Sequence, residues 1–148
     1  MIVDIPNTDI KFDIREDYAT DEIVIREIWE ENVYRVHDHH FNNGGIVVDL
    51  GANIGSFSIY AASRGSLVYA VEPEPNNLKA LKNNIEINNL QAKIDVFDFG
   101  ISDFNGSAII NDMGGGATIM DDGIFGAEVQ IKTLDQFFNE TDIKQVDI

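Results

Sequence analysis

Apolar runs separated by glycine and asparagine turns divide the chain into alternating strands and helices. Residues 46–50 and 67–71 are apolar without alternation, which predicts strands buried on both faces, and residues 93–97 predict a third strand. Apolar positions at helical spacing predict helices over residues 54–64 and 75–88. Strands that alternate with helices in this way indicate an α/β fold with a doubly wound, mostly parallel sheet.

The pattern changes on both sides of this central region. Residues 2–5 and 10–14 alternate apolar and polar side chains around a turn, which predicts an N-terminal β-hairpin. Residues 21–32 predict a helix with Thr20 or Asp21 as its N-cap. Two shorter strands and a last helix are expected at residues 107–110, 127–131 and 133–139.

A length of 148 residues fits a single domain, with the hairpin and first helix in residues 1–45 and the α/β sheet in residues 46–148. Near the chain end, Ile143, Val146 and Ile148 resemble the approach to a further strand. A helix that crosses over a parallel sheet normally delivers such a strand. We therefore expect the chain to be the N-terminal portion of a larger domain.

The composition limits the partners that we expect. The chain carries 26 acidic and 10 basic side chains, for a net charge of −16, which disfavours nucleic acid and anionic lipid as partners. It has no cysteine, no signal-peptide pattern and no apolar run of transmembrane length. The sequence therefore predicts a cytoplasmic protein that neither inserts into a membrane nor binds nucleic acid.

A glycine-rich turn with acidic residues on both sides predicts a site for a nucleotide-like cofactor. Asp49 ends the first parallel strand, Gly51 and Gly55 lie in the turn that follows, and Glu72 ends the next strand. The glycines permit close approach of the backbone, and a strand-end carboxylate is placed to bind ribose hydroxyls. The dinucleotide fingerprint also requires glycine at positions 53 and 56, where this chain has asparagine and serine, so NAD is disfavoured.

Three segments closely resemble the FkbM-type S-adenosylmethionine-dependent methyltransferases: VDLGANIGSFS at 48–58, VEPEP at 71–75 and NNIEIN at 83–88. Later segments at 100–106, 115–118 and 133–135 follow in the order of that family. The resemblance covers about residues 21–148. It implies a Rossmann-like class I methyltransferase fold, here incomplete, with S-adenosyl-L-methionine as cofactor over the carboxyl ends of the first three strands.

The resemblance also implies which residues bind the cofactor. Five would surround its methionine part and ribose: Asp49, Gly51, Ala52, Asn53 and Gly55. Five more would lie at the ribose hydroxyls, at the adenine or near the cofactor: Glu72, Pro73, Asp98, Phe99 and Tyr34. For Phe99 a place in the hydrophobic core is an equal alternative. The implied reaction is methyl transfer to an oxygen of a small molecule or glycan.

No motif assigns a catalytic base, although the chain offers His37, His39, His40, Asp112 and Asp121 as candidates. We expect the histidines to lie on a solvated loop without a metal ion, because adjacent side chains on one loop rarely converge on a metal. The asparagine pairs at 83–84 and 88–89 are expected on the surface and at the end of their helix. Two alternatives to a methyltransferase stay open: an NAD-linked oxidoreductase, and a non-catalytic fragment that retains half of the fold.

Overall fold

The computed structural model describes residues 1–41, 44–112, 117–119 and 126–148. Its helices are α1 (Ala19–Trp29), α2 (Ser56–Ser63), α3 (Pro75–Ile87) and α4 (Leu134–Thr141). Its strands are β1 (Ile2–Asp4), β2 (Lys11–Asp13), β3 (Ile46–Leu50), β4 (Leu67–Val71), β5 (Ile94–Phe97), β6 (Phe99–Ile101), β7 (Gly106–Asp112), β8 (Ala117–Ile119) and β9 (Ala127–Lys132). Within these residues, no helix combines the length and the apolar character needed to cross a lipid bilayer.

A parallel sheet with the order β3-β4-β5 forms the centre of the fold. The three strands coincide with the predicted segments to within one residue. On the other side of β3, the main-chain N–H of Val48 donates to the carbonyl oxygen of Ile148 over 2.9 Å, and that of Asp147 donates to the carbonyl of Ile46 over 2.8 Å. Asp147 and Ile148, at the end of the segment that was expected to approach a further strand, therefore lie beside β3.

Side chains that alternate along β4 belong to two different hydrophobic clusters. Val68 and Ala70 lie in the larger cluster, which also contains side chains of α1, α2 and α3. Val71 lies in a second cluster with Phe137 of α4, and Tyr69 packs against it. Because the strand alternates sides with period two, helices cover both faces of the sheet. The predicted doubly wound α/β architecture is confirmed.

A second sheet with the order β6-β9-β7-β8 follows the parallel one. Strand β6 pairs with β9 in parallel, whereas β7 is antiparallel to both β9 and β8. Ile110, Val129 and Ile131 form its own small buried cluster. The three-residue strands β6 and β8 were not predicted, because segments of this length carry almost no periodicity.

The N-terminal residues form the predicted hairpin, in which β1 and β2 pair antiparallel. The predicted N-cap of α1 is wrong, because the helix begins at Ala19 and Tyr18 occupies the cap position. Asp21 instead lies inside the helix with no exposed surface. Its carboxylate accepts hydrogen bonds from the main chain and side chain of Arg15.

Candidate functional site

The turn between β3 and α2 requires glycine at two positions for different reasons. Gly51 has a φ of +82°, and a Cβ added there would meet nothing within 4 Å. Gly55 has a φ of +90°, and its Cβ would lie 2.6 Å from Cδ1 of Leu81. Gly55 therefore permits close packing of the turn on α3, whereas Gly51 keeps the space beside the backbone open.

Glu72, directly after β4, is only 3% exposed and ties this turn to the next one. Its Oε2 accepts a hydrogen bond of 2.7 Å from the main-chain N–H of Asn53, and its Oε1 accepts one of 2.9 Å from that of Glu74. The side chain of Asn77 donates to the same Oε1 over 3.4 Å. Burial raises the pKa of Glu72, and these three hydrogen bonds partly oppose the rise.

Asn53, whose main-chain N–H donates to Glu72, also carries a side-chain acceptor atom in this turn. Its backbone has a φ of +52°, a conformation that asparagine tolerates better than most residues. Its side-chain Oδ1 is buried and has no hydrogen-bond partner among the described residues. A buried acceptor without a donor is costly unless a ligand supplies one. Together with the open space at Gly51, this orphaned oxygen fits a ligand that carries hydroxyl or ammonium groups.

Asp49 brings a second carboxylate to the carboxyl end of the sheet. The Ser58 hydroxyl donates to its Oδ2 over 2.6 Å. Burial raises the pKa of Asp49 to about 6, the Ser58 hydrogen bond lowers it, and the charge of Glu72 adds to the rise. No role was predicted for Ser58 from the sequence, although Ser58 lies in the first turn of α2, directly after Gly55.

Tyr34 lies near enough to Asp49 for the charge of that carboxylate to act on its hydroxyl. Its ring meets that of Phe57 edge to face at a centroid distance of 5.2 Å, while 62% of its surface remains exposed. Burial raises the pKa of the Tyr34 hydroxyl, and the negative charges of Asp49 and Glu27 raise it further. Tyr34 is therefore an exposed aromatic side chain at the rim of the candidate site.

A cleft of about 320 Å³ opens between the carboxyl ends of β3 and β4 and the second sheet. Its lining is almost entirely apolar: Leu50, Gly51, Val71, Pro73, Gly100, Ile101, Ile110 and Ile131. A Cβ at Gly100 would lie 2.8 Å from Cδ1 of Ile131 and 3.7 Å from the Pro73 ring, so glycine keeps this part of the cleft closely packed. The cleft can hold a flat apolar group beside Pro73.

The remaining predicted cofactor residues lie in different surroundings. Asp98 is exposed in the connection between the two sheets. Phe99 is 5% exposed, and its ring centroid lies 5.4 Å from that of Phe137 in the core, which is the alternative that the sequence left open. Ala52 is 5% exposed, and its main-chain N–H donates to the carbonyl of Val71 over 3.0 Å. Ala52 and Phe99 therefore hold the framework of the site.

The candidate bases are scattered. His37, His39 and His40 are exposed in and next to a short 3-10 helix, Asp38–His40, where the rings of His39 and His40 lie 4.0 Å apart. Asp112 is the last residue of β7, and Asp121 lies outside the described residues. Over residues 1–41, 44–112, 117–119 and 126–148, no group of three or more potential ligands is arranged to hold a metal ion.

A buried polar side chain that supports the site through hydrogen bonds, Asn84, was not recognised from the sequence. Asn84 was expected on the surface, and that prediction is wrong because the residue has no exposed surface. Its Oδ1 accepts from the main-chain N–H of Asp13 over 2.7 Å, and its Nδ2 donates to the carbonyl of Ile54 over 3.0 Å. Asn84 shares a helical face with Leu81 and Asn88, which is the signal that could have placed it inward.

Three curated relatives align with parts of this chain. AMB antimetabolite synthetase AmbE from Pseudomonas aeruginosa is 36% identical over 55% of this chain and 4% of its own length. The 31-O-demethyl-FK506 methyltransferase FkbM from Streptomyces tacrolimicus is 33% identical over 50% of this chain and 29% of its own. The tRNA (guanine(37)-N(1))-methyltransferase from Saccharomyces cerevisiae is 26% identical over 66% of this chain and 18% of its own. The chain thus spans less than a third of the length of each of these relatives.

The family of this chain is identified by a match to a family model. The model of the TRM5/TYW2 methyltransferase domain matches residues 22–121, which is more than half of the chain and includes the glycine turn, Asp49 and Glu72. The similarity to the Streptomyces protein confirms the resemblance to FkbM-type enzymes that the sequence motifs carry. With its α/β sheet, the chain therefore belongs to the TRM5/TYW2 methyltransferase domain family, whose cofactor is S-adenosylmethionine.

Proposed function

We propose that this chain binds S-adenosylmethionine at the turn between β3 and α2 and presents its methyl group to an oxygen of a small molecule or glycan. The observation that carries the proposal is the Glu72–Asn53 pair. The buried Glu72 carboxylate accepts a hydrogen bond from the main-chain N–H of Asn53, whose own side-chain oxygen is buried and unpaired among the described residues, in a turn with open space at Gly51. When bound, the cofactor supplies a sulfonium methyl that is already activated for transfer.

Glu72 and Asn53 are the residues that would bind the ribose. Each carboxylate oxygen accepts up to two hydrogen bonds, and Oε2 of Glu72 takes one from the described residues. One acceptor site on Oε2 and the orphaned Oδ1 of Asn53 therefore remain for two neighbouring hydroxyl groups. Hydrogen bonds between a hydroxyl and an ionised carboxylate are stronger than neutral ones, which favours this assignment.

Asp49 and the apolar cleft would bind the two ends of the cofactor. The Asp49 carboxylate lies at the end of β3, where its negative charge attracts a positively charged methionine part. The adenine would enter the cleft beside Pro73, whose apolar walls exclude water from a flat ring. Tyr34, at the rim near Asp49, would cover the cofactor from the solvent side.

The chain's main contribution to methyl transfer would be alignment. Holding a donor and an acceptor in line supplies on the order of 7–11 kcal/mol of a barrier. Fixed groups at the carboxyl ends of β3 and β4 are suited to this task, because the strands hold them rigidly. An acid–base residue is needed only where the acceptor loses a proton, and no side chain is assigned to that step.

Two observations support a small acceptor. The net charge of −16 repels the phosphates of a polynucleotide. The Streptomyces relative, which is 33% identical over half of this chain, is named for a 31-O-demethyl substrate. The second candidate acceptor is transfer RNA, because the yeast relative is named as a tRNA (guanine(37)-N(1))-methyltransferase.

Calorimetric titration with S-adenosylmethionine and with NAD tests the cofactor. Binding of the former alone, lost in Glu72→Ala and retained in the control Glu86→Gln, is the expected result. Binding of NAD alone would favour the oxidoreductase, and binding of neither would leave a non-catalytic fragment. Transfer of labelled methyl groups to hydroxylated metabolites and glycans, run beside total transfer RNA, then separates the two acceptor classes.

A further inference from the structure

We infer that Arg15, from the segment before α1, is a positioning residue that holds Glu72 in its ribose-binding orientation through the side chain of Asn77. The inference rests on the proposed ribose role of Glu72 and adds a residue outside every motif. Arg15 and Asn77 are separated by 62 positions in sequence, and their side chains meet at 2.9 Å.

The guanidinium of Arg15 is held in place from one side. Asp21 has no exposed surface, and its Oδ1 and Oδ2 accept hydrogen bonds from Nη2 of Arg15 at 2.6 Å and from Nε at 3.0 Å. The main-chain N–H of Arg15 donates to Oδ2 over 2.9 Å. A guanidinium bound through two N–H groups to one carboxylate has little rotational freedom. Its Nη1 therefore points in one fixed direction.

That fixed Nη1 determines which way the Asn77 amide faces. A guanidinium has donors and no acceptor, so the amide atom that meets it must be the oxygen. Nη1 of Arg15 donates to Oδ1 of Asn77 over 2.9 Å, and the amide Nδ2 on the other side then donates to Oε1 of Glu72. A rotation of the amide by 180° would set donor against donor at Arg15 and oxygen against carboxylate at Glu72.

The consequence for Glu72 is a fixed carboxylate plane. Nδ2 of Asn77 and the main-chain N–H of Glu74 both donate to Oε1. The other oxygen is left for the Asn53 N–H and for a ligand. Asn77 is 4% exposed and lies in the first turn of α3, where its main chain is bound to Oε2 of Glu74 over 2.7 Å. Asp21, Asn77 and Glu72 are therefore buried members of one hydrogen-bonded path, and the Arg15 side chain that links the first two is 18% exposed.

The test measures how strongly the protein prefers a ligand that carries the ribose hydroxyl. A purely structural role of Arg15 and Asn77 would not change this preference. The two ligands are S-adenosylhomocysteine and its 2′-deoxy analogue, and the readout is the ratio of their Kd values. Loss of one hydrogen bond to a charged group corresponds to about tenfold or more in affinity, so wild type is expected to prefer the ribose form by about that factor.

Asn77→Asp is the decisive variant. It retains the size of the side chain and an oxygen for Arg15, but it places a second carboxylate oxygen against Glu72. Arg15→Met removes the donor and retains most of the bulk. Both are expected to bring the Kd ratio close to one. Arg26→Met, at an exposed arginine whose ion pair is with Glu31, is the control and is expected to retain the wild-type ratio.

Each outcome decides the inference. If Asn77→Asp, folded by circular dichroism, retains the wild-type ratio, Arg15 and Asn77 do not position Glu72. A parallel weakening of both ligands with the ratio intact overturns the inference as well, because it indicates a structural role. If wild type itself shows no preference, or Glu72→Ala leaves the ratio unchanged, the ribose role of Glu72 in the proposed function fails first.

Discussion

The main-chain N–H of Asn53 lies 2.7 Å from Oε2 of Glu72, and this hydrogen bond joins the turn after β3 to the turn after β4. The two strands are neighbours in the parallel sheet, with Leu50 opposite Val71. Their carboxyl ends therefore meet at one edge, where ligands bind in open α/β sheets. The same carboxylate that is proposed to bind a ribose also holds the backbone that surrounds it.

Replacing Glu72 by glutamine tests this double role. Glutamine has the shape of glutamate but presents one NH₂ group, which would meet the N–H of either Asn53 or Glu74 as donor against donor. We expect a loss of about 1–3 kcal/mol in the free energy of unfolding, measured by urea denaturation. Affinity for S-adenosylhomocysteine should fall about tenfold or more. Equal stability of Glu72→Gln and wild type would contradict the bridging role.

The raised pKa of Asp49 predicts a proton release on cofactor binding. The free carboxyl, with a pKa of about 6, is roughly half protonated at pH 6. A nearby positive charge favours the ionised form and lowers the pKa, so binding expels the remaining proton. Titration of S-adenosylmethionine at pH 6 in buffers of different ionisation enthalpy should detect this release. Asp49→Asn should abolish it, and affinity in wild type should weaken as the pH falls below 6.

The same pKa has a consequence for stability, with a defined sign. Because the folded state raises the pKa of Asp49 above 3.8, it favours the neutral acid over the carboxylate. The contribution of Asp49 to stability is therefore present at pH 4 and is lost as the pH rises through 6. Asp49→Asn should gain stability relative to wild type between those values. A constant difference from pH 4 to pH 8 would contradict the assignment.

The two turn glycines are expected to differ in their tolerance of alanine. At Gly51 an added Cβ meets nothing, so Gly51→Ala costs only the strain of a positive φ, about 1–2 kcal/mol. At Gly55 the same strain is joined by a contact of 2.6 Å with Leu81. Urea denaturation should therefore show a larger loss for Gly55→Ala. As a control, Gly55→Ala should cost less when introduced into Leu81→Ala than into wild type, because the contact is then gone and only the strain remains.

Asn84→Leu should weaken the attachment of the N-terminal hairpin to α3. The substitution leaves the main-chain N–H of Asp13 and the carbonyl of Ile54 buried without their partners. Each unsatisfied group costs about 1–3 kcal/mol. Amide hydrogen exchange at Asp13 should become faster than in Lys82→Ala, an exposed change in the same helix. Unchanged protection of the Asp13 amide would show that the bond does not hold β2 in solution.

The central sheet and its helices could be predicted from sequence because their signal is local. Apolar runs identified β3 and β4, and the helix expected at residues 133–139 corresponds to α4, whose N-cap Thr133 accepts a hydrogen bond from the N–H of Gln136. The glycine turn was equally clear. Each of these features depends on residues within a few positions of one another.

The buried polar residues that support the site could not be predicted from local sequence patterns. From sequence alone, Asp21 is typical of a helix cap, and only the position of Arg15 shows that it is a buried ion-pair partner. Asn84 is typical of a surface residue, and only the packing of β2 on α3 shows that it is buried. Both are buried polar groups that are tolerable only because a distant segment supplies the matching atoms. Their partners depend on the packing of the tertiary structure, which periodicity and spacing do not report.

Asp98 alone separates β5 from β6, so a single residue connects the parallel sheet to the mixed one. The apolar cleft takes one wall from each sheet, with Leu50 on one side and Ile131 on the other. A ligand seated between them would contact both sheets at once. Because it would bind only where both sheets are in place, such a ligand should raise the free energy of unfolding of the two sheets together.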